Sequence, residues 1–138
     1  VTRRNFPRTL ALIAVRTGGL MTSFTVMIVE DEPLIGAAME MLVEDLGGAT
    51  HGPFMTLKDG LAGLDSGQAF DCALLDCNLG REASWPIADI LAQRGIPFAF
   101  TSGKGLRDIE PRFHDRPIFI KPVDESKVKA FLLQFVAA

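Results

Sequence analysis

Phe24-Thr25-Val26-Met27-Ile28-Val29-Glu30-Asp31-Glu32-Pro33 is the stretch from which the rest of the chain can be read. An apolar, β-branched run of strand length stops abruptly on three acids and a proline. Such an uninterrupted run reads as a central strand of a parallel sheet, covered on both faces. Pro33 suits the first turn of a helix, where its missing N–H has no partner to lose. The same pattern recurs twice: Ala73-Leu74-Leu75 ends on Asp76, and Ile118-Phe119-Ile120 ends on Lys121. In open parallel sheets, function collects at the carboxyl ends of the strands. Glu30, Asp31, Asp76 and Lys121 are therefore expected in one site. Carboxylates crowded at a sheet edge repel one another unless a hard cation sits among them, and Mg²⁺ takes oxygen ligands of this kind.

Working outward, strand and helix signals alternate. Leu34, Ala38, Met41, Leu42 and Leu46 recur at helical spacing until Gly47-Gly48 stops the helix. Ala49–Phe54 is a weaker strand, and Leu57, Leu61 and Leu64 mark a short helix from about Thr56 to Asp65. Phe70–Leu75 is the third strand. A loop through Gly80 leads to a helix from about Pro86 to Arg94, and Ile96–Thr101 is the fourth strand. Residues 103–117 hold two glycines and two prolines, with only Leu106, Ile109 and Phe113 as anchors, enough for one or two helical turns. Ile118–Ile120 is the fifth strand. Val123–Val136 is an amphipathic helix whose start carries Asp124, Glu125 and Ser126, where the helix dipole favours anions. Five strands interleaved with helices imply a three-layer α/β sandwich around a parallel sheet.

Composition narrows the possibilities. The 138 residues suffice for one domain with a real core, and 48% apolar with 22% charged is ordinary globular composition. A net charge of −3 leaves no basic footprint, so nucleic acid is not an expected direct partner. Cys72 and Cys77, on one strand, would lie about 16 Å apart, too far for a disulfide. They read as reduced core thiols of a cytoplasmic protein. The first 20 residues look foreign to the rest. Their apolar patch, Leu10 to Val15, is too short for a membrane span and lacks a signal-peptide cleavage site. We expect residues 1–20 to be an over-annotated or disordered extension, with Met21 as the natural start and residues 21–138 as the domain. No membrane association and no attached output domain are expected.

Four segments together resemble the signatures of the response-regulator receiver domain: Val29-Glu30-Asp31-Glu32-Pro33, Leu75-Asp76-Cys77-Asn78, Thr101-Ser102-Gly103 and Lys121-Pro122. Each alone is weak; their order, spacing and placement at strand ends make the match specific over roughly residues 24–136. The resemblance implies a flavodoxin-like doubly wound sheet of order 2-1-3-4-5. It implies Asp76 as phosphoacceptor and Mg²⁺ as cofactor. Asp31 would ligate the metal directly and Glu30 through water, with the Asp76 carboxylate and the Asn78 backbone carbonyl completing the set. Lys121 would pair with a phosphoryl oxygen, and the Lys121-Pro122 bond would be cis. A hydroxyl from the fourth strand would contact another oxygen. Ser102-Gly103 fits the family's pattern of a hydroxyl before a small residue better than Thr101-Ser102, and both hydroxyls stand as candidates.

Bland readings compete with these. Glu32 reads as a solvated helix start. His51 and His114 stand singly and suit surface roles. Trp85 is expected to pack against the start of the third helix. Gly103-Lys104-Gly105 lacks the spacing of a Walker loop. The family's switch aromatic lies three residues before the lysine, where this chain has Ile118, while Phe119 points to the opposite face. With its reduced fourth helix and Phe100-Thr101-Ser102-Gly103, the chain resembles short single-domain receivers with a Phe-Ala-Thr-Gly-type loop. Lys104 stands where that subgroup commonly has tyrosine.

The resemblance implies a stand-alone bacterial phosphorelay protein, an acceptor rather than an enzyme. Its phosphate would come from a sensor histidine kinase or a histidine phosphotransfer protein. It would signal by binding a downstream protein, through the region from Gly103 to the last helix, or by draining phosphate. The alternatives are a binding module of the same fold that no longer uses phosphate, an aspartyl-phosphate hydrolase and a flavodoxin relative. Asn78 stands where the hydrolase class would want a second acid. Glu30-Asp31-Glu32 would repel a flavin phosphate.

Overall fold

The strand signals fold into one parallel sheet. The computed structural model describes residues 24–136, so the expectations for residues 1–20 and for Met21 lie outside the described residues. The chain runs through β1 (Thr25–Val29), α1 (Pro33–Asp45), β2 (Ala49–Phe54), α2 (Leu57–Asp65) and β3 (Cys72–Asp76). It continues through β4 (Asn78–Leu79), β5 (Glu82–Ala83), α3 (Trp85–Gln93), β6 (Phe98–Ser102), β7 (Ile118–Ile120) and α4 (Glu125–Leu133). The main sheet has the order β2-β1-β3-β6-β7, and each neighbouring pair is parallel. Setting aside the small β4–β5 hairpin, this is the expected doubly wound 2-1-3-4-5 order.

Continuous apolar strands arise because both faces of the sheet are covered. Met27, Val29, Ala73, Leu75, Phe98 and Phe100 turn to the α2–α3 side, where Leu64, Ile87 and Leu91 meet them. Val26, Ile28, Cys72, Leu74 and Ala99 turn to the α1–α4 side, against Leu42, Val43, Val128 and Leu132. Both cysteines are buried and neither forms a disulfide. Among the described residues, no helix is long and apolar enough to cross a membrane.

Register brings the functional strand ends level. Val29 pairs with Leu75, Asp76 with Thr101, and Ser102 with Ile120. The β1–β2 ladder slips between Met27 and Val29. Gly52 makes that irregularity possible: its φ of 103° suits glycine, and a Cβ there would lie 2.6 Å from the Ile28 carbonyl oxygen. Beyond the slip, the Glu30 N–H donates to the Phe54 carbonyl at 2.8 Å, fixing the backbone where the acids begin.

Several boundaries differ from the sequence reading, each for a local reason. The third strand starts at Cys72 rather than Phe70, because the Asp71 carboxylate accepts the Thr25 N–H at 2.8 Å before the ladder begins. The fourth strand starts at Phe98 rather than Ile96. The Ile96 N–H still donates back to the Leu91 carbonyl at 2.9 Å, and Pro97 has no N–H to give. The last helix spans Glu125–Leu133, shorter than Val123–Val136: Asp124 caps its start by accepting the Ser126 N–H at 2.9 Å, and Gln134, Phe135 and Val136 donate only three residues back, as turns. The loop through Gly80 is a two-stranded hairpin turning at Gly80, whose φ is 67°. Where a full fourth helix would stand, there are two 3₁₀ turns, Gly105–Asp108 and Pro111–Phe113.

The isolated aromatic and histidine residues find structural roles. Trp85, the first residue of α3, stacks on Phe113 and meets Phe100 edge-on. His51 bonds the Gly63 carbonyl at 2.9 Å between the rings of Phe54 and Phe70, and His114 bonds the Ile109 carbonyl at 2.8 Å.

Leu74, 1% exposed at the centre of the sheet, and Leu34, 87% exposed on α1, make a contrasting pair. Leu74→Ala is expected to cost about 2–5 kcal/mol of unfolding free energy, and Leu34→Ala no more than ~0.5 kcal/mol. Urea denaturation of both variants measures the difference.

Candidate functional site

Each functional side chain sits at or just beyond the end of a buried strand. Glu30 and Asp31 follow β1, Asp76 is the last residue of β3, and Lys121 follows β7. These ends converge. The Lys121 ammonium donates to Asp76 Oδ2 at 2.8 Å, to Glu32 Oε1 at 3.3 Å and to Glu30 Oε2 at 3.4 Å. The second Asp76 oxygen accepts the Asn78 N–H at 3.1 Å. Asp31 Oδ2 accepts the Gly80 N–H at 3.0 Å, tying β1 to the hairpin that follows Asp76. The Lys121-Pro122 peptide is cis.

Burial makes the cluster electrostatically tense. Glu30 and Asp76 are buried among apolar strands, and Lys121 is mostly covered. Burial, with the neighbouring Asp76 carboxylate, pushes the Glu30 carboxyl up to about 8. Burial alone would lower the Lys121 ammonium, yet its hydrogen bond to Asp76 and the charges of Asp76 and Glu30 outweigh this and hold it above the usual lysine range.

Glu30, Asp31, Glu32 and Asp76 each offer one carboxylate oxygen, and these atoms all lie within 4.8 Å of one another. Glu30 Oε1 is buried without a hydrogen-bond partner. An all-oxygen donor set with an unsatisfied buried oxygen fits a hard divalent cation. Glu32 exceeds its sequence reading as a plain helix start. Its N–H donates to Glu30 Oε2 at 3.1 Å and its carboxylate reaches Lys121. No periodicity could have revealed this, because the contact depends on where β7 ends.

The two hydroxyl candidates part company. Thr101 pairs with Asp76 in the ladder, and its hydroxyl is buried without a hydrogen-bond partner. The Ser102 hydroxyl is turned to the following segment, donating to Asp108 Oδ2 at 2.8 Å with the Gly105 carbonyl at 3.1 Å. It accepts the Lys104 N–H at 3.1 Å. The structure thus brings Glu30, Asp31, Asp76 and Lys121 together and leaves Ser102 engaged elsewhere.

Fold and site together define a doubly wound α/β domain with an acidic, lysine-bridged centre at the carboxyl edge of its sheet. Neither protein-family models nor curated proteins yield a match, but solved structures do. The chain is 39% identical to SdrG from Sphingomonas melonis Fr1, with a TM-score of 0.72 over 83% of this chain and 98% of that one. Against the BeF3-activated conformation of SdrG, from Pseudomonas melonis Fr1, identity is 38% and the TM-score 0.66, covering 85% of this chain and 100% of that one. The PhyR response-regulator receiver domain of Erythrobacter litoralis is 29% identical, with a TM-score of 0.71 over 83% of this chain and 90% of that one. The chain belongs to the response-regulator receiver family.

The raised Glu30 carboxyl sets a pH dependence. Below 4.5 the folded and unfolded chains both hold Glu30 protonated; from there to about 8 the unfolded chain gives up the proton and the folded chain keeps it. The folded state then binds more protons, so stability falls as pH rises through this window. In chelator, urea denaturation is expected to show that decline, and Glu30→Gln to remove the part due to this group.

Proposed function

We propose that the protein accepts a phosphoryl group from a phosphohistidine onto Asp76, the donor being a sensor histidine kinase or a histidine phosphotransfer protein. The observation that carries this reading is the Lys121 ammonium 2.8 Å from one oxygen of a buried, strand-terminal Asp76 flanked by further acids. An Asp76 oxygen attacks phosphorus, the phosphorus–nitrogen bond breaks, and the imidazole keeps its electron pair. The product is an aspartyl phosphate.

The residues divide the work. Lys121 neutralises charge on Asp76 before transfer and pairs with a phosphoryl oxygen after it. The Asn78 N–H orients the Asp76 carboxylate. Asp31, Asp76, Glu30 through water, and the Asn78 carbonyl would hold Mg²⁺, which supplies positive charge to the phosphoryl oxygens. Ser102 would donate to a phosphoryl oxygen once released from its present partners. The protein is on this reading an acceptor that takes part in its own phosphorylation and dephosphorylation, not an enzyme acting on other substrates.

Signalling follows from binding a downstream protein or from draining phosphate out of a relay in the cytoplasm.

The test is covalent. With Mg²⁺ and a small-molecule phosphodonor such as acetyl phosphate, wild type is expected to gain one phosphate by intact mass. Asp76→Asn should gain none, and chelator should prevent the gain. Equal modification of both proteins would refute the assignment.

A further inference from the structure

The first 3₁₀ turn after β6 is tied back to the end of that strand by the Asp108 side chain. Asp108, half-buried at the end of the first 3₁₀ turn, accepts through a single oxygen, Oδ2, from the Ser102 hydroxyl at 2.8 Å and from the Lys104 N–H at 3.1 Å. A serine hydroxyl has one proton to donate. While that proton lies on the Asp108 carboxylate, it is unavailable to any oxygen near Asp76. Hydrogen bonds to a charged acceptor are about twice as strong as neutral ones, so this commitment is not a passive one.

We propose that Asp108 is a positioning residue that latches the Ser102 hydroxyl to the Gly105–Asp108 turn, so that phosphorylation of Asp76 has to break the Ser102–Asp108 bond. The inference rests on the reading of Asp76 as phosphoacceptor. A phosphoryl group is another anionic acceptor, so it competes for the same proton on equal chemical terms. Transfer of the bond leaves Asp108 with only the Lys104 N–H, and the turn loses its side-chain tie to β6. The turn is positioned to show the change. Gly105 packs on Ile120, where a Cβ would meet Ile120 Cδ1 at 3.3 Å, and Leu106 is exposed beside it in sequence.

Beryllofluoride with Mg²⁺, a phosphoryl mimic, is the probe, titrated into the full chain. Asp108→Ala is expected to bind it on the order of ten-fold more tightly than wild type, the worth of one charge-assisted hydrogen bond. Asp108→Asn keeps an acceptor without the charge and should fall between them; it also serves if the alanine variant folds poorly. In a Ser102→Ala background, Asp108→Ala should make no further difference. The Lys104 and Gly105 amide signals of unliganded Asp108→Ala should move toward their positions in beryllofluoride-bound wild type. Unchanged or weaker binding by Asp108→Ala, while acetyl phosphate still labels Asp76, overturns the latch and leaves the receiver reading intact. The same ten-fold gain in the Ser102→Ala background also overturns it, because the effect then bypasses Ser102. Failure of wild type to be labelled at Asp76 removes the parent reading and the latch with it.

Discussion

One ammonium group compensates the site. Lys121 bonds Asp76, Glu30 and Glu32 at once, setting one positive charge among the acids gathered at this edge. Taking charges out of water costs several kcal/mol per ion unless geometry and hydrogen bonding return it. Here the return is divided. Lys121 gives its shortest bond to Asp76, the Asn78 N–H takes the other Asp76 oxygen, and Glu30 answers its burial by holding a proton to about 8. Asp76 is therefore the carboxylate of the cluster with a donor on each of its two oxygens.

The scaffold explains why these groups meet. Parallel strands in register end at one edge, and residues that follow the strands necessarily share it. The slip in β1–β2 pairing carries the Glu30 backbone onto the Phe54 carbonyl, and the β4–β5 hairpin presents the Gly80 N–H to Asp31. Local irregularities at two glycines thus place two of the acids. Apolar packing on both faces supplies the stability against which this charged edge is held together.

What could be read from sequence follows from these physics. Glu30, Asp31, Asp76 and Lys121 were legible because each closes an apolar run, and a polar residue at the end of a buried strand stands out in one dimension. The sheet order was legible through the family resemblance, and the observed order β2-β1-β3-β6-β7 bears it out. Glu32 was not legible, since its tie to Lys121 spans 89 positions. The hairpin after Asp76 was hidden because two-residue strands carry no period. The direction of the Ser102 hydroxyl was hidden too, since residue type identifies a donor and never its acceptor.

Ile118 carries the last step. In this family an aromatic at that position commonly relays the state of the hydroxyl to the surface; here Ile118 packs into the α2–α3 side of the core, and Phe119 meets Phe131 on the other. Neither side chain can swing with Ser102 without opening a packed layer, which is costly. A signal from the edge of the sheet therefore has to travel by a shorter route. The 3₁₀ turn after β6 is that route: its tie to the strand is polar and rests on the same hydroxyl that a phosphoryl group would claim. A full fourth helix would resist such release through its own backbone bonds and its packed face. A single turn of 3₁₀ geometry has few of either. The reduced segment and the missing aromatic are then two parts of one arrangement, in which Asp108 does locally what an aromatic relay does across the strand.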